Sequence, residues 1–314
     1  MSLQVNNRFQ VVGIIIVIIV IILSAIITVN YQQNIRRANK RLESFQAKTV
    51  ETEFGKISFL DQGTGQVVLI SHGIFGGYDQ GLVSLQKILG DHHRKISPSR
   101  FGYPGSDVPP SPTPENQAKA FAQLLDALGI SETFILTTSA GGAAGFQFAI
   151  QYPHRVKGLI LLSSGMPTEK INQEDIRGMT GPPDFIINDF PMWFSLNYFG
   201  FIMDGMFGAT ERPEDLYATL LPVRPRREGI KIDETISNID MDINFDSYAV
   251  EEITTPILVV HAEDDPMARY ENVEKFIERV SPETAIFETG GHLITGHGEA
   301  VSQTILEFIE RVGE

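Results

Sequence analysis

Ser139 stands in Thr137-Thr138-Ser139-Ala140-Gly141-Gly142, between the apolar run Phe134-Ile135-Leu136 and the helical run Ala143 to Tyr152. A strand, a sharp turn and a helix lift a hydroxyl at the turn clear of the sheet, open to a base and to a substrate. The residues after the serine must be small, because helix and strand nearly touch there, and Ala140, Gly141 and Gly142 are small. G-x-S-x-G is the sequence form of such a turn; here Thr137 replaces its first glycine. Taken alone, the segment reads equally well as an ordinary strand-to-helix turn.

A serine hydroxyl is a weak nucleophile. It needs a base within hydrogen-bond reach, a carboxylate to orient that base, and two N–H groups for the oxyanion. Each has a candidate just after a strand-like run. His292 is the base candidate, in Thr289-Gly290-Gly291-His292 behind Ala285 to Phe287. Its competitor, His297, lacks that context of a glycine pair just after a strand. The acid candidates, Asp264 and Asp265, lie in His261-Ala262-Glu263-Asp264-Asp265-Pro266 after Ile257 to Val260. The N–H of Ile74, in Ser71-His72-Gly73-Ile74-Phe75-Gly76-Gly77 after Val67 to Ile70, would join that of Ala140 as an oxyanion donor. A Gly-rich turn of this kind also suits phosphate, but the spacing is neither G-x-G-x-x-G nor a P-loop with its Lys. His292 and His297 lack a third convergent ligand, so neither metal nor cofactor is expected. The chain has no Cys, which excludes disulfides, thiolate metal sites and Cys nucleophiles.

The elements that must position these groups alternate. Strand-like runs at 57–60, 67–70, 94–97, 134–138, 159–162, 257–260 and 285–287 are interleaved with helical ones at 79–89, 115–128 and 300–312. The runs at 134–138 and 159–162 are apolar but for Thr137 and Thr138, as a parallel sheet covered on both faces requires. The pattern predicts an α/β fold with a doubly wound, mostly parallel sheet. Residues 165–248 break the rhythm. They hold no convincing strand and are rich in Phe, Met, Tyr and the single Trp, and they read as an inserted helical cap. Its apolar side chains would either line a substrate pocket or form the cap's own core. The expected organisation is a tail over 1–10, a transmembrane helix over 11–29, a polar stalk over 30–49, core over 50–164, cap over 165–248 and core over 249–314.

Val11 to Val29 is nineteen residues without a charge, fifteen of them Val, Ile or Leu. As a helix it would be about 28 Å long, close to the ~30 Å hydrocarbon core. At about −0.3 to −0.6 kcal/mol per aliphatic residue, insertion is favoured by roughly 4 to 9 kcal/mol. The run exceeds a usual signal-peptide core, and Thr28-Val29-Asn30 is not a small-x-small cleavage site. A retained anchor is therefore expected over a cleaved signal. Arg8 precedes the run, whereas Arg36, Arg37, Lys40 and Arg41 follow it. The positive-inside rule then places the catalytic part in the cytoplasm, with an extracytoplasmic placement as the alternative. Residues 1–50 carry six Lys or Arg and one Glu, in a chain whose net charge is −14. The strongly acidic remainder disfavours nucleic acid as a partner. The expected partners are a small, apolar acyl substrate and the bilayer, and no oligomeric state is indicated.

The His-Gly turn, Arg100-Phe101-Gly102-Tyr103-Pro104-Gly105-Ser106, the Ser139 turn, Tyr152-Pro153-His154-Arg155-Val156, the acid loop and Gly-Gly-His follow one another in order over about 50–314. In this the chain resembles the capped proteins of the α/β-hydrolase fold. The resemblance implies a Ser139–His292–Asp265 triad, since the family's acid is the fourth residue of its acid loop counted from Ala262. It implies ester-type hydrolysis within a superfamily that spans lipases, esterases, thioesterases, peptidases, C–C hydrolases and signalling receptors. Ser139 argues against the members that use an Asp nucleophile. Thr137 in the turn and Ala262 in place of a glycine depart from the pattern. Thr137 keeps open a second reading, a pocket that binds ligand and turns over little.

Overall fold

The computed structural model describes residues 2–176 and 180–314, with side chains from Gln10 onward. Residue 1 of the expected tail, the Arg8 side chain and residues 177–179 of the expected cap lie outside the described residues. One sheet of eight strands organises the chain: β1 (Lys48–Thr52), β2 (Gly55–Gln62), β3 (Val67–Ser71), β4 (Arg94–Pro98), β5 (Thr133–Ser139), β6 (Val156–Ser164), β7 (Ile257–Ala262) and β8 (Glu283–Phe287), in the order β1-β2-β4-β3-β5-β6-β7-β8. From β4 to β8 all neighbours are parallel, while β2 runs antiparallel to β1 and β4. The sheet is thus mixed and mostly parallel, as expected.

The helices are α1 (Ser2–Ser44), α2 (Tyr78–Leu89), α3 (Pro114–Ala127), α4 (Gly142–Gln151), α5 (Asp189–Tyr198), α6 (Gly200–Phe207), α7 (Glu214–Ala218), α8 (Arg227–Ile232), α9 (Asn238–Ile243), α10 (Tyr270–Val280) and α11 (Gly298–Gly313). Side chains of a strand alternate between faces, so each central strand feeds two cores. Ile135, Leu159 and Val259 enter the core under α3, α4 and α10. Phe134, Leu136, Ile160 and Val260 enter the core under α2 and α11. Covering both faces makes the middles of these strands apolar at successive positions, as in Phe134-Ile135-Leu136 and Leu159-Ile160-Leu161. α3 starts where Thr113 accepts a hydrogen bond from the Asn116 N–H and Pro114 occupies the first turn, a position that needs no donor.

Between β6 and β7 the described residues contain helices and turns and no strand. At the other end, α1 is long and apolar enough to cross a membrane, and its apolar window is unburied. One unbroken helix runs through what the sequence divides into tail, span and stalk. Its distal half carries a stripe at Ile27, Tyr31, Ile35, Ala38 and Leu42, one position per turn on one face. The first four pack in the cluster that holds Trp193, Met192 and Tyr217 of the insert, and Leu42 packs with Leu60, Tyr78 and Leu82 of the core. Arg41 sits in the seam. It donates to the Leu221 carbonyl at 2.6 Å and lies 3.3 Å from Asp79, which also pairs with Arg226 at 2.6 Å. The stretch expected as a polar stalk thus lays one face against the insert and the core while its polar residues stay exposed, and its last residues, from Lys48, form β1.

Candidate active site

Ser139 closes β5 with φ +50, the left-handed conformation that a sharp strand-to-helix turn demands and that costs a non-glycine residue energy. The turn is held by the Gly141 N–H donating to the Thr138 carbonyl at 2.8 Å, and the Gly165 N–H donates to the Ser139 carbonyl at 3.1 Å. Gly141 is required by crowding: a side chain there would meet the Ser71 and His72 carbonyls. Thr137 does not block the turn. Its Oγ1 lies 2.8 Å from the Ser164 hydroxyl, and its methyl group fills the space above Gly145 of α4, where any Cβ would collide with it. The bulk expected to crowd the turn is accommodated one helical turn away.

The acid loop gives Asp264 and Asp265 different partners. Asp265 is buried, and its Oδ2 accepts from His292 Nδ1 at 2.8 Å. Its Oδ1 accepts from the Met267 and Ala268 N–H groups at 2.8 and 3.0 Å. Burial works against the charge on this carboxylate. The hydrogen bonds from His292 and the two amides outweigh it and hold the pKa below the ordinary range. Asp264 has a different task. It accepts from the Gly291 N–H at 2.8 Å and the Gly290 N–H at 3.3 Å, and so pins the loop that carries His292. Both glycines have positive φ, +126 and +61, which explains the pair before the histidine.

His292 follows in a short 3-10 turn over Gly291–Leu293, with Phe207 of α6 stacked on its ring at 6.3 Å. His297 lies elsewhere, against Phe287 at 4.7 Å. His261 is a member of the site that the sequence did not single out. It is fully buried, its Nε2 lies 2.7 Å from the Ala268 carbonyl and 3.6 Å from Asp265, and burial depresses its pKa.

The turn after β3 approaches Ser139 from the other side. A Cβ on Gly73 would stand 3.0 Å from the Ser139 Cβ, so only glycine leaves the serine room. Among residues 71–82 all are buried except Ile74; Ile74, Ser139 and Ala140 are half-buried. Among the described residues neither the Ile74 nor the Ala140 N–H takes part in a turn hydrogen bond. The turn itself is braced by His72, whose Nε2 accepts from the Arg100 N–H at 3.0 Å and whose Nδ1 lies 2.8 Å from the Gly73 carbonyl. Burial and the nearby Arg100 push the His72 pKa well down, so a neutral ring with its proton on Nδ1 fits both contacts. Arg100 also donates to the His72 carbonyl at 2.8 Å and pairs through both terminal nitrogens with Asp233 of the insert, at 2.5 and 2.7 Å. Tyr103 donates to the same carboxylate at 2.5 Å. Burial disfavours the Arg100 charge, but Asp233 more than compensates and its pKa rises. Nothing in the sequence analysis assigns a role to His72, Arg100 or Asp233. The Arg100–Ser106 motif marked one side of this network, and nothing local marked Asp233.

A family profile described as the alpha/beta hydrolase fold matches residues 66–296. The 2-hydroxy-6-oxo-2,4-heptadienoate hydrolase of Pseudomonas putida is 24% identical over 250 residues, covering 74% of this chain and 85% of that protein. Other curated relatives match at 28–32% identity over 114 to 128 residues, which is 36–42% of their own lengths. Among solved structures, an alpha/beta hydrolase fold protein from Nakamurella multipartita superposes with a TM-score of 0.68 at 22% identity, over 85% of this chain and all of that one. A membrane phospholipase A described as a bacterial virulence factor superposes over the whole of both chains, with a TM-score of 0.65 at 16% identity. At these identities the structural likeness speaks for the fold. With the profile spanning most of the sheet, the chain belongs to the alpha/beta hydrolase fold family.

Proposed function

We propose that this chain is a membrane-anchored serine hydrolase acting on an apolar acyl ester. The observation that carries the reading is the buried Asp265–His292 hydrogen bond of 2.8 Å, on the same sheet edge as a positive-φ serine at the end of β5. His292 Nδ1 is committed to Asp265, which leaves Nε2 to take the Ser139 proton. Ser139 Oγ attacks the acyl carbonyl, and the Ile74 and Ala140 N–H groups receive the developing oxyanion. Asp265, held ionised, stabilises the imidazolium. The imidazolium then protonates the leaving alkoxide. Water, activated by the same histidine, releases the acid from the acyl-enzyme.

Residues 11–29 would span the bilayer, and the exposed Arg36, Arg37 and Lys40 favour a cytoplasmic catalytic part. We take residues 50–164 and 249–314 as the hydrolase core and 165–248 as its cap. A binding protein with little turnover is the alternative, and its ground was Thr137. The absence of a side chain at Gly145, where the Thr137 methyl sits, supports turnover over that alternative. The test is turnover of p-nitrophenyl esters of increasing chain length by the full chain and by Ser139→Ala. Turnover that rises with chain length and disappears in the variant supports the reading. Turnover retained in the variant overturns it.

A further inference from the structure

We infer that the outer face of α5 and α6 is a membrane-docking surface that sits in the headgroup region of the bilayer spanned by α1. The inference rests on the anchor reading above.

The insert exposes large apolar side chains that a surface in water would avoid. Phe201 is 71% exposed, and Phe190, Tyr198, Phe199 and Ile202 of the same two helices and their junction are exposed as well. They form one surface. Ring centroids step from Phe190 to Phe194 at 5.8 Å, to Phe199 at 5.6 Å and to Phe201 at 6.3 Å. Clustered exposure of this kind marks an interaction site, whereas scattered apolar residues do not.

What covers the surface follows from where it begins. Tyr31 of α1 lies 5.2 Å from Phe190 and 5.4 Å from Trp193, and Ile27, inside the uncharged run, packs in the same cluster. The apolar face of α5 and α6 therefore starts at the depth where the spanning run ends, and it meets α1 at Tyr31. Arg36, Arg37 and Lys40 are exposed on α1. Arg36 stands about 10 Å beyond Val29 along the helix, where long basic side chains meet lipid phosphates. Aromatic and aliphatic groups at one level with cations just outside them match the layering of an anionic lipid surface. A second protein copy would have to cover this face while leaving lipid around the α1 surface that adjoins it.

The placement has a consequence for the proposed chemistry. α6 runs from the exposed Phe201 to Phe207, which stacks on His292, about 9 Å along one helix. The Phe207 and Gly208 carbonyls crowd Gly291 closely enough to forbid a side chain there. The element that meets lipid is thus also a wall of the site, and an acyl ester would reach Ser139 from the lipid phase.

The chain has no Cys, so a single introduced thiol labels one position. Full-length Phe201→Cys, Ile18→Cys and Glu132→Cys are labelled with nitrobenzoxadiazole and reconstituted, at high lipid excess, into vesicles of phosphatidylcholine and phosphatidylglycerol. Glu132 is exposed at the end of β5 opposite Ser139. The inference predicts that nitroxide lipids labelled near the headgroup quench the 201 probe, those labelled near the chain ends quench the 18 probe, and neither quenches the 132 probe. Quenching at 18 with none at 201 overturns the docking surface and leaves the anchor standing. A blue-shifted but unquenched 201 probe means that protein covers the face, and it overturns the inference equally. No quenching at 18 removes the anchor reading, and the docking surface with it.

Discussion

The candidate catalytic edge of the sheet and the seam between α1, the insert and the core are built on different principles. At the sheet edge each candidate group sits in a turn directly after a strand: Ile74 after β3, Ser139 at the end of β5, Asp265 after β7 and His292 after β8. Local backbone geometry delivers them, and short glycine-rich segments make that geometry possible. At the seam the contacts join ordinary charged side chains far apart in sequence: Arg100 with Asp233, Arg226 with Asp79, and Arg41 with the same Asp79. Reactivity is thus specified locally, whereas the seating of the insert depends on buried pairs that no short segment announces.

The contrast predicts that edge substitutions abolish chemistry and spare stability, and that seam substitutions do the reverse. Ser139→Ala should lower kcat by about 10⁴- to 10⁶-fold with little change in Tm, as stopped esterase assays and calorimetry would show. A large fall in Tm would place Ser139 among structural residues. Asp265→Asn should cost about 10⁴-fold in kcat through the wrong imidazole tautomer.

Asp233→Ala strands Arg100 without its buried partner, and should destabilise the fold by about 3–5 kcal/mol in denaturant titration. An unchanged midpoint would mean that the insert is seated by its apolar contacts alone. Asp264→Ala tests the boundary between the two classes. Loss of two hydrogen bonds to the His292 loop should lower kcat by about 10- to 100-fold with KM nearly unchanged. An effect on Tm alone would make Asp264 a structural residue. Gly145→Ala drives a methyl into Thr137 and should cost about 1–3 kcal/mol. Thr137→Gly in the same chain should recover most of that loss, since it restores the missing space.

The same contrast explains what was legible in the sequence. β5, its turn and α4 could be read because an apolar run, a serine and three small residues leave few alternatives. The preference for Asp265 over Asp264 came from motif spacing, and the structure gives the two aspartates separate tasks. β1 was hidden as the end of a polar stalk: it is an edge strand with an exposed, polar pattern. α10 carries an apolar stripe at Tyr270, Val273, Phe276, Ile277 and Val280 among many charges, a helical spacing that was legible in the sequence and is absent from the expected helices. The docked stripe on α1 was masked by neighbouring polar residues. His72 and Asp233 were invisible as a pair because only the fold brings them to Arg100, 28 and 133 positions away.

The central claim is that Ser139 is the nucleophile activated by His292 and Asp265. Reaction of the full chain with a fluorophosphonate, followed by peptide mass mapping, tests it most directly. One phosphonyl group should be found on Ser139, and labelling should vanish in Ser139→Ala and fall sharply in His292→Ala. Absence of label, or a label on any other residue that survives Ser139→Ala, would contradict the account.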